Sequence, residues 1–273
     1  MPELLNQAIY DATYEATKSV VKSTKANFKT FQTELTVGTA LYRYSTKQYS
    51  DGKEAGARKN WTKLETDTGN RWTGTAKTGS GGSGGLYMSL EAEKGLDTEF
   101  PELNHYQGKD QYSQETDIAF YDFKENRAVR SKAKTLYYMF TFFLKKKLVG
   151  IDLTLNSWAI RNIYAELSAT GLSRMSASPS KSAEELYMDG EDASFCRAIG
   201  NGCFRENSVD FILVSSTRNT NFKNVILKCP GGETIDYIQA FGRSSFYLDP
   251  DAEFQAVETE DDKVYNDELA QSL

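Results

Sequence analysis

Phe211-Ile212-Leu213-Val214-Ser215-Ser216-Thr217-Arg218 is the stretch on which the fold turns. From Val209 to Val214 the apolar run reads as a buried strand, and it stops abruptly at hydroxyls and an arginine. A hydroxyl at the exit of such a strand either faces a cleft or caps a turn. Upstream, Ala183 to Ile199 reads as helix interrupted around Asp189-Gly190, after a serine-rich surface connection over 171–182. Ser157 to Leu167 reads as another helix, with Trp158, Ile160, Ile163 and Leu167 on or near its buried side. Thr135 to Leu155 reads as two strands bounded near Gly150, and Val225 to Leu227 as a further strand.

Further out, Leu86 to Leu90 is a short strand, and 31–49 has strand-like composition with Arg43 in its middle. Residues 100–130 are polar and read as an inserted loop or hairpin. The tract Gly79-Ser80-Gly81-Gly82-Ser83-Gly84-Gly85 has linker composition and suits a mobile loop beside a ligand site. No internal repeat is visible, and helices and strands mix without a strand–helix–strand rhythm. The class is therefore α+β, in one domain.

The ends differ from this centre. Leu5, Ile9, Ala12, Ala16, Val20 and Val21 recur at three-to-four-residue spacing, one apolar stripe on an amphipathic helix within 1–30. That stripe either docks on the domain or is recognised by a secretion system, a chaperone or a neutralising partner. The tail over 249–273 carries Glu258, Glu260, Asp261 and Asp262 with few aliphatics, which predicts a mobile acidic segment.

Composition removes several functions. Sixteen Tyr and fifteen Phe against three Trp point to a sheet-rich interior. A net charge of −6 argues against a general nucleic-acid or anionic-membrane surface, while leaving room for a small basic pocket. The longest apolar run, Leu136 to Leu144, falls well short of the roughly 20 residues a membrane helix needs. Residues 1–30 lack the apolar core of a signal peptide, so the expected compartment is the cytoplasm. Cys196, Cys203 and Cys229 cannot all pair, and none forms a C-x-x-C, consistent with a reducing environment. His105 is the sole histidine, in a polar loop; no zinc site and no histidine-based triad is expected.

The remaining chemistry lies in a few polar residues. Arg43, between Tyr42 and Tyr44, is costly to bury unpaired, so it has a fixed anionic partner: a structural carboxylate or a bound phosphate. Arg71 sits in Gly69-Asn70-Arg71-Trp72-Thr73-Gly74, where small residues admit close approach of a ligand. Tyr44, Trp72 and Tyr87 offer flat faces for a nicotinamide or adenine ring, although lone aromatics are more often core. Neither G-x-G-x-x-G in a strand–loop–helix setting nor G-K-[ST] is present, which rejects Rossmann and Walker sites. Glu99, ahead of Phe100-Pro101, can bind a ribose hydroxyl and stabilise an oxocarbenium-like transition state. Ser216 suits a hydrogen-bonding role better than a nucleophilic one.

Taken in order, Leu41-Tyr42-Arg43, Gly69-Asn70-Arg71-Trp72, Gly85-Leu86-Tyr87-Met88-Ser89, Glu99 and Phe211 to Arg218 resemble the RES family of NAD-consuming toxins. Glu191 to Gly200 also looks like that family's helix before the last strand. The resemblance spans roughly 40–230, within a domain of 31–248 carrying an insertion near 100–135. Ser215 stands where a proline often precedes the family serine, so Ser215 and Ser216 both remain candidates for that serine. The resemblance implies an ADP-ribosyltransferase-like split, strongly bent sheet that grips NAD as substrate, with flanking helices and no metal. In that arrangement Arg43, Glu99 and Ser216 are catalytic, and Tyr44, Arg71, Trp72, Tyr87 and Ser89 bind NAD. It further implies a glycohydrolase or an ADP-ribosyltransferase toxin or effector. A protein acceptor and a neutralising antitoxin or immunity protein are its expected partners. From a different class, the tyrosine-rich polar surface also suits a binding protein without catalysis.

Overall fold

The computed structural model describes residues 6–23, 32–45, 71–73, 85–90, 117–122, 127–132, 135–169, 181–189, 192–206, 209–215, 220, 223–228, 237–248, 254–257 and 259–271. Eleven strands are described: β1 (Gln32–Leu35), β2 (Ala40–Ser45), β3 (Gly85–Leu90), β4 (Asp117–Asp122), β5 (Arg127–Lys132), β6 (Thr135–Leu144), β7 (Leu148–Leu153), β8 (Phe211–Ser215), β9 (Lys223–Lys228), β10 (Ile238–Leu248) and β11 (Phe254–Val257). The helices are α1 (Gln7–Ser23), α2 (Trp158–Ala169), α3 (Ala183–Met188), α4 (Ser194–Glu206) and α5 (Glu260–Ala270). None of these helices is long and apolar enough to cross a membrane.

Nine strands form one mixed sheet in the order β1-β7-β8-β9-β3-β2-β6-β10-β11, open at both ends. Connectivity forces this sheet to bend. β1 and β2 lie five places apart, which in a flat sheet is about 24 Å at roughly 4.8 Å per strand. The chain from Leu35 to Ala40 reaches only about 17 Å when fully extended. β6 and β7 are also five places apart, yet Lys145 to Lys147 alone join them. The two short connections draw the halves of the sheet together. The β1–β2 turn is tied down by Gly38 N–H to Leu144 O at 2.8 Å and Leu144 N–H to Thr39 O at 3.1 Å. Gly38 takes a positive φ of 81° there, a conformation that favours glycine.

Bending creates two cores. Inside the curve lie side chains from both halves, among them Leu41, Leu86, Phe140, Phe142, Phe211 and Leu227. On the outer face of β7, β8 and β9, Ile151, Leu153, Ile212, Val214 and Ile226 pack under the helices. β8 is buried along its whole length because it contributes to both. That is why its sequence is a continuous apolar run rather than an alternation.

Within this architecture, α1 packs on α4 and α2 through Ala16, Val20 and Val21, so its apolar stripe docks on the domain. Thr13 and Thr17 are also on that buried face, and Thr17 Oγ1 donates to Thr13 O at 2.7 Å, the i−4 back-bond open to a helical threonine. In α2, Ala159, Ile160, Ile163 and Leu167 are buried, whereas Trp158 is 38% exposed. Two residues at about 100° each carry Trp158 to the far side of the helix from Ile160, which corrects its expected burial.

The boundary near Gly150 and the absence of a strand–helix–strand rhythm are also corrected, whereas the hairpin expected within 100–130 is present. The strands of 135–155 break at Lys145 to Lys147, and Gly150 lies inside β7. A Cβ on Gly150 would sit 2.5 Å from Phe211 O, so this glycine permits close strand approach and ends nothing. The missing strand–helix–strand rhythm is present once: β7 and β8 pair in parallel across a crossover holding α2, α3 and α4. The polar 100–130 region contains part of the antiparallel hairpin β4–β5. In the acidic tail, β11 pairs with β10 and α5 packs along β10.

Candidate functional site

Three remote segments meet beneath α3: the turn at Arg71 to Thr73, the strand β3, and the end of β8. The turn lies directly on α4 and β3 because two glycines make room for it. A Cβ on Gly200 would fall 2.1 Å from Trp72 O, and one on Gly85 would fall 3.0 Å from Thr73 Oγ1. Trp72 N–H donates to the Tyr87 hydroxyl at 3.0 Å, which fixes the turn to β3. The indole meets the Tyr187 ring edge to face, with centroids 5.2 Å apart.

Tyr187 joins the segments. Its carbonyl accepts from Arg71 Nη2 at 2.6 Å and from Cys196 Sγ at 3.4 Å. Its hydroxyl accepts from Ser215 N–H at 2.8 Å and donates to Leu153 O at 3.0 Å, with Ser215 O farther away at 3.5 Å. Burial pushes the phenol well above the ordinary tyrosine range, so it remains a neutral hydroxyl able to donate and accept at any working pH. Ser215 Oγ in turn accepts from Leu155 N–H at 3.1 Å, just past the end of β7.

A helix of six residues needs help to hold such a residue in place. In α3, Ser182 Oγ accepts from Glu185 N–H at 3.2 Å and Glu185 Oε2 accepts from Ser182 N–H at 2.6 Å, a complete capping box. Lys181 and Asp189 pair across the length of the helix. The hydrogen bond to Asp189 is the main cause that raises the Lys181 ammonium above its usual range. Asp189 Oδ1 also accepts from Asp192 N–H at 2.9 Å, leading into α4.

The structure brings together Arg71, Trp72 and Tyr87. Trp72 is only 2% exposed, so its indole is a core side chain holding the turn, not an open stacking face. Tyr87 is half-buried and packs against the helix-covered core. Ser89, two residues on, donates from Oγ to Asn224 Oδ1 at 3.3 Å across β3 and β9. Arg43 and Tyr44 lie on the neighbouring strand β2, their backbones in register with Phe140 and Met139 of β6. Glu99, Ser216, His105 and Cys229 fall outside the described residues. Tyr187 is the member that sequence reasoning misses. Its one local signal is the Ser182-x-x-Glu185 capping pattern, which announces a short helix but not which residue that helix delivers.

Among the described residues, no group of three or more His, Cys, Asp or Glu is placed to hold a metal ion. Cys196 and Cys203 are buried on α4 outside any disulfide, and burial pushes Cys203 up to about 12, far from nucleophilic use. Compared with models of protein families and with curated proteins, the chain matches none.

Proposed function

We propose that this chain is an NAD-cleaving enzyme of the RES type, a toxin or effector that acts in the cytoplasm of its own or a target cell. The reading starts from the ordered residues Arg43, Arg71, Tyr87, Glu99 and Ser216. One observation carries it furthest: the Arg71 turn, Tyr87 and the exit of β8 meet in one hydrogen-bonded network on a bent, open sheet. The resemblance calls for a cation, an aromatic and a hydroxyl together, and this network supplies Arg71 and Tyr87 beside the strand that ends at Ser215.

In this mechanism Arg43 and Arg71 hold the pyrophosphate and Tyr87 lies on the nicotinamide side, while Trp72 keeps the turn in place. The resemblance also assigns Tyr44 and Ser89 to NAD binding. Glu99 binds the ribose and stabilises positive charge as the C1′–N bond breaks. Nicotinamide leaves with the bonding pair; water or a protein nucleophile adds at C1′ and gives up a proton. Ser216 fixes the substrate by hydrogen bonds. Positioning and electrostatics supply the catalysis.

The test is nicotinamide release by the purified chain beside Glu99→Gln, with folding monitored by circular dichroism. Release by the parent that vanishes in a folded variant supports the reading. Free ADP-ribose as the product indicates hydrolysis, and label transferred from NAD to a lysate protein indicates an ADP-ribosyltransferase. A binding protein that reuses the fold is the second reading, favoured by the burial of Trp72 and the bond from Arg71 to a backbone carbonyl. Absence of nicotinamide release with lysate added would select it. A neutralising partner is expected at a surface other than the part of α1 buried through Ala16, Val20 and Val21.

A further inference from the structure

We propose that Tyr187 is the positioning residue of this site, setting the Arg71 guanidinium and the exit of β8 relative to each other. The inference rests on the NAD-cleaving reading. Two arms of the same residue make the connection: the carbonyl takes Arg71 at 2.6 Å, and the hydroxyl takes Ser215 N–H at 2.8 Å. The hydroxyl lies where the parallel pair β7/β8 ends, bridging Ser215 N–H to Leu153 O just after the last register pair, Leu153 with Val214. Ser215, one residue past that pair, is held by the Tyr187 hydroxyl at its N–H and by the Leu155 N–H at its Oγ.

Packing alone does not require this arrangement. The side chain is fully buried, and its ring would fill the same volume without the hydroxyl. Instead the phenol serves the last residue of a strand whose next residue is Ser216. A displacement of about 1 Å at a substrate-positioning group can cost on the order of 100-fold in rate. The α3 caps and the Lys181–Asp189 pair keep both arms in register with each other.

The two arms predict opposite kinetic signatures. Tyr187→Phe deletes the hydroxyl and keeps the carbonyl, so kcat for nicotinamide release falls about 10- to 100-fold while KM for NAD stays within about twofold. Cys196→Ser places a stronger donor on the same carbonyl in competition with Arg71, so KM rises several-fold and kcat is retained. Ile163→Val, buried in the same core, is the stability control and moves neither constant. Tyr187→Phe kinetics no different from those of Ile163→Val would overturn the proposal. If Tyr187→Phe does not fold, Cys196→Ser decides: an unchanged KM overturns it as well. Hydrogen exchange separates this idea from the NAD reading. Should the parent release no nicotinamide, faster exchange of the Ser215 amide in Tyr187→Phe, with Ile212 unchanged, keeps the positioning role and discards NAD cleavage. Unchanged exchange at Ser215 discards the positioning role.

Discussion

Aromatic side chains under the helix-covered strands and Phe241 on β10 meet opposite environments. Around β7, β8 and β9 both faces are covered, by helices on one side and by the far half of the sheet on the other, and Trp72 there is 2% exposed. On β10, in the other half, Phe241 is 58% exposed and meets chiefly Phe143, edge to face at 4.7 Å. The candidate site lies in the doubly covered half. Its residues are therefore core residues as well, and substitutions there change stability and geometry together. On β10 an exposed residue such as Phe241 can be changed with little structural consequence, whereas Phe140 and Phe142 of β6 belong to the inner core.

Trp72→Ala gives this contrast its largest test. Truncating a buried tryptophan costs about 3–5 kcal/mol, and the Trp72 N–H bond to Tyr87 would loosen with the turn. Urea unfolding followed by fluorescence measures the loss, and a cost below 1 kcal/mol would remove the distinction between the halves. Gly200→Ala comes next. Its methyl would press on Trp72 O, a backbone atom that cannot swing aside, for a loss of about 1–3 kcal/mol of the kind overpacking produces. An unchanged denaturation midpoint would mean that the turn is not held against α4. Phe241→Ala sharpens the other side: little beyond the aromatic pair is lost, about 0.5–1.5 kcal/mol. A loss matching that of Trp72→Ala would show that β10 is covered in solution by something else.

The same contrast explains what was legible in the sequence. Buried strands announce themselves, and 86–90, 209–214 and 225–227 match β3, β8 and β9 closely. The interruption at Asp189-Gly190 separates α3 from α4 as expected, because a short polar stretch cannot continue an apolar face. Strand order was not legible. Nothing local in Gln32 to Leu35 says that it pairs with β7 rather than with β2, which follows it four residues later; that choice is made by the bend. Within the site, Arg71, Trp72 and Tyr87 stood out because glycines and aromatics cluster there. Tyr187 did not, since one tyrosine among sixteen carries no mark of the two backbones its hydroxyl will bridge.

The smallest effect concerns the ends of α3, on which the buried Tyr187 depends. Glu185 accepts first from the Ser182 backbone N–H and also interacts with the Ser182 side chain, and these bonds hold its carboxyl below the usual glutamate range. Its folded-state pKa is thus lower than the unfolded value of about 4.3. The cap therefore contributes fully above that pH and fades as pH falls through the folded pKa. Lys181 has the opposite sign: raised by Asp189, its contribution is complete below the unfolded value of about 10.4 and is lost as pH rises through the folded pKa. Between these limits α3 should be indifferent to pH. The difference in Tm between the parent chain and Glu185→Ala should be level from about pH 5 to 8 and should shrink below about pH 4. A difference that instead grows in acid would show that the carboxylate is repelled rather than bonded in the folded chain. It would also mean that α3 is held from its Lys181–Asp189 side alone.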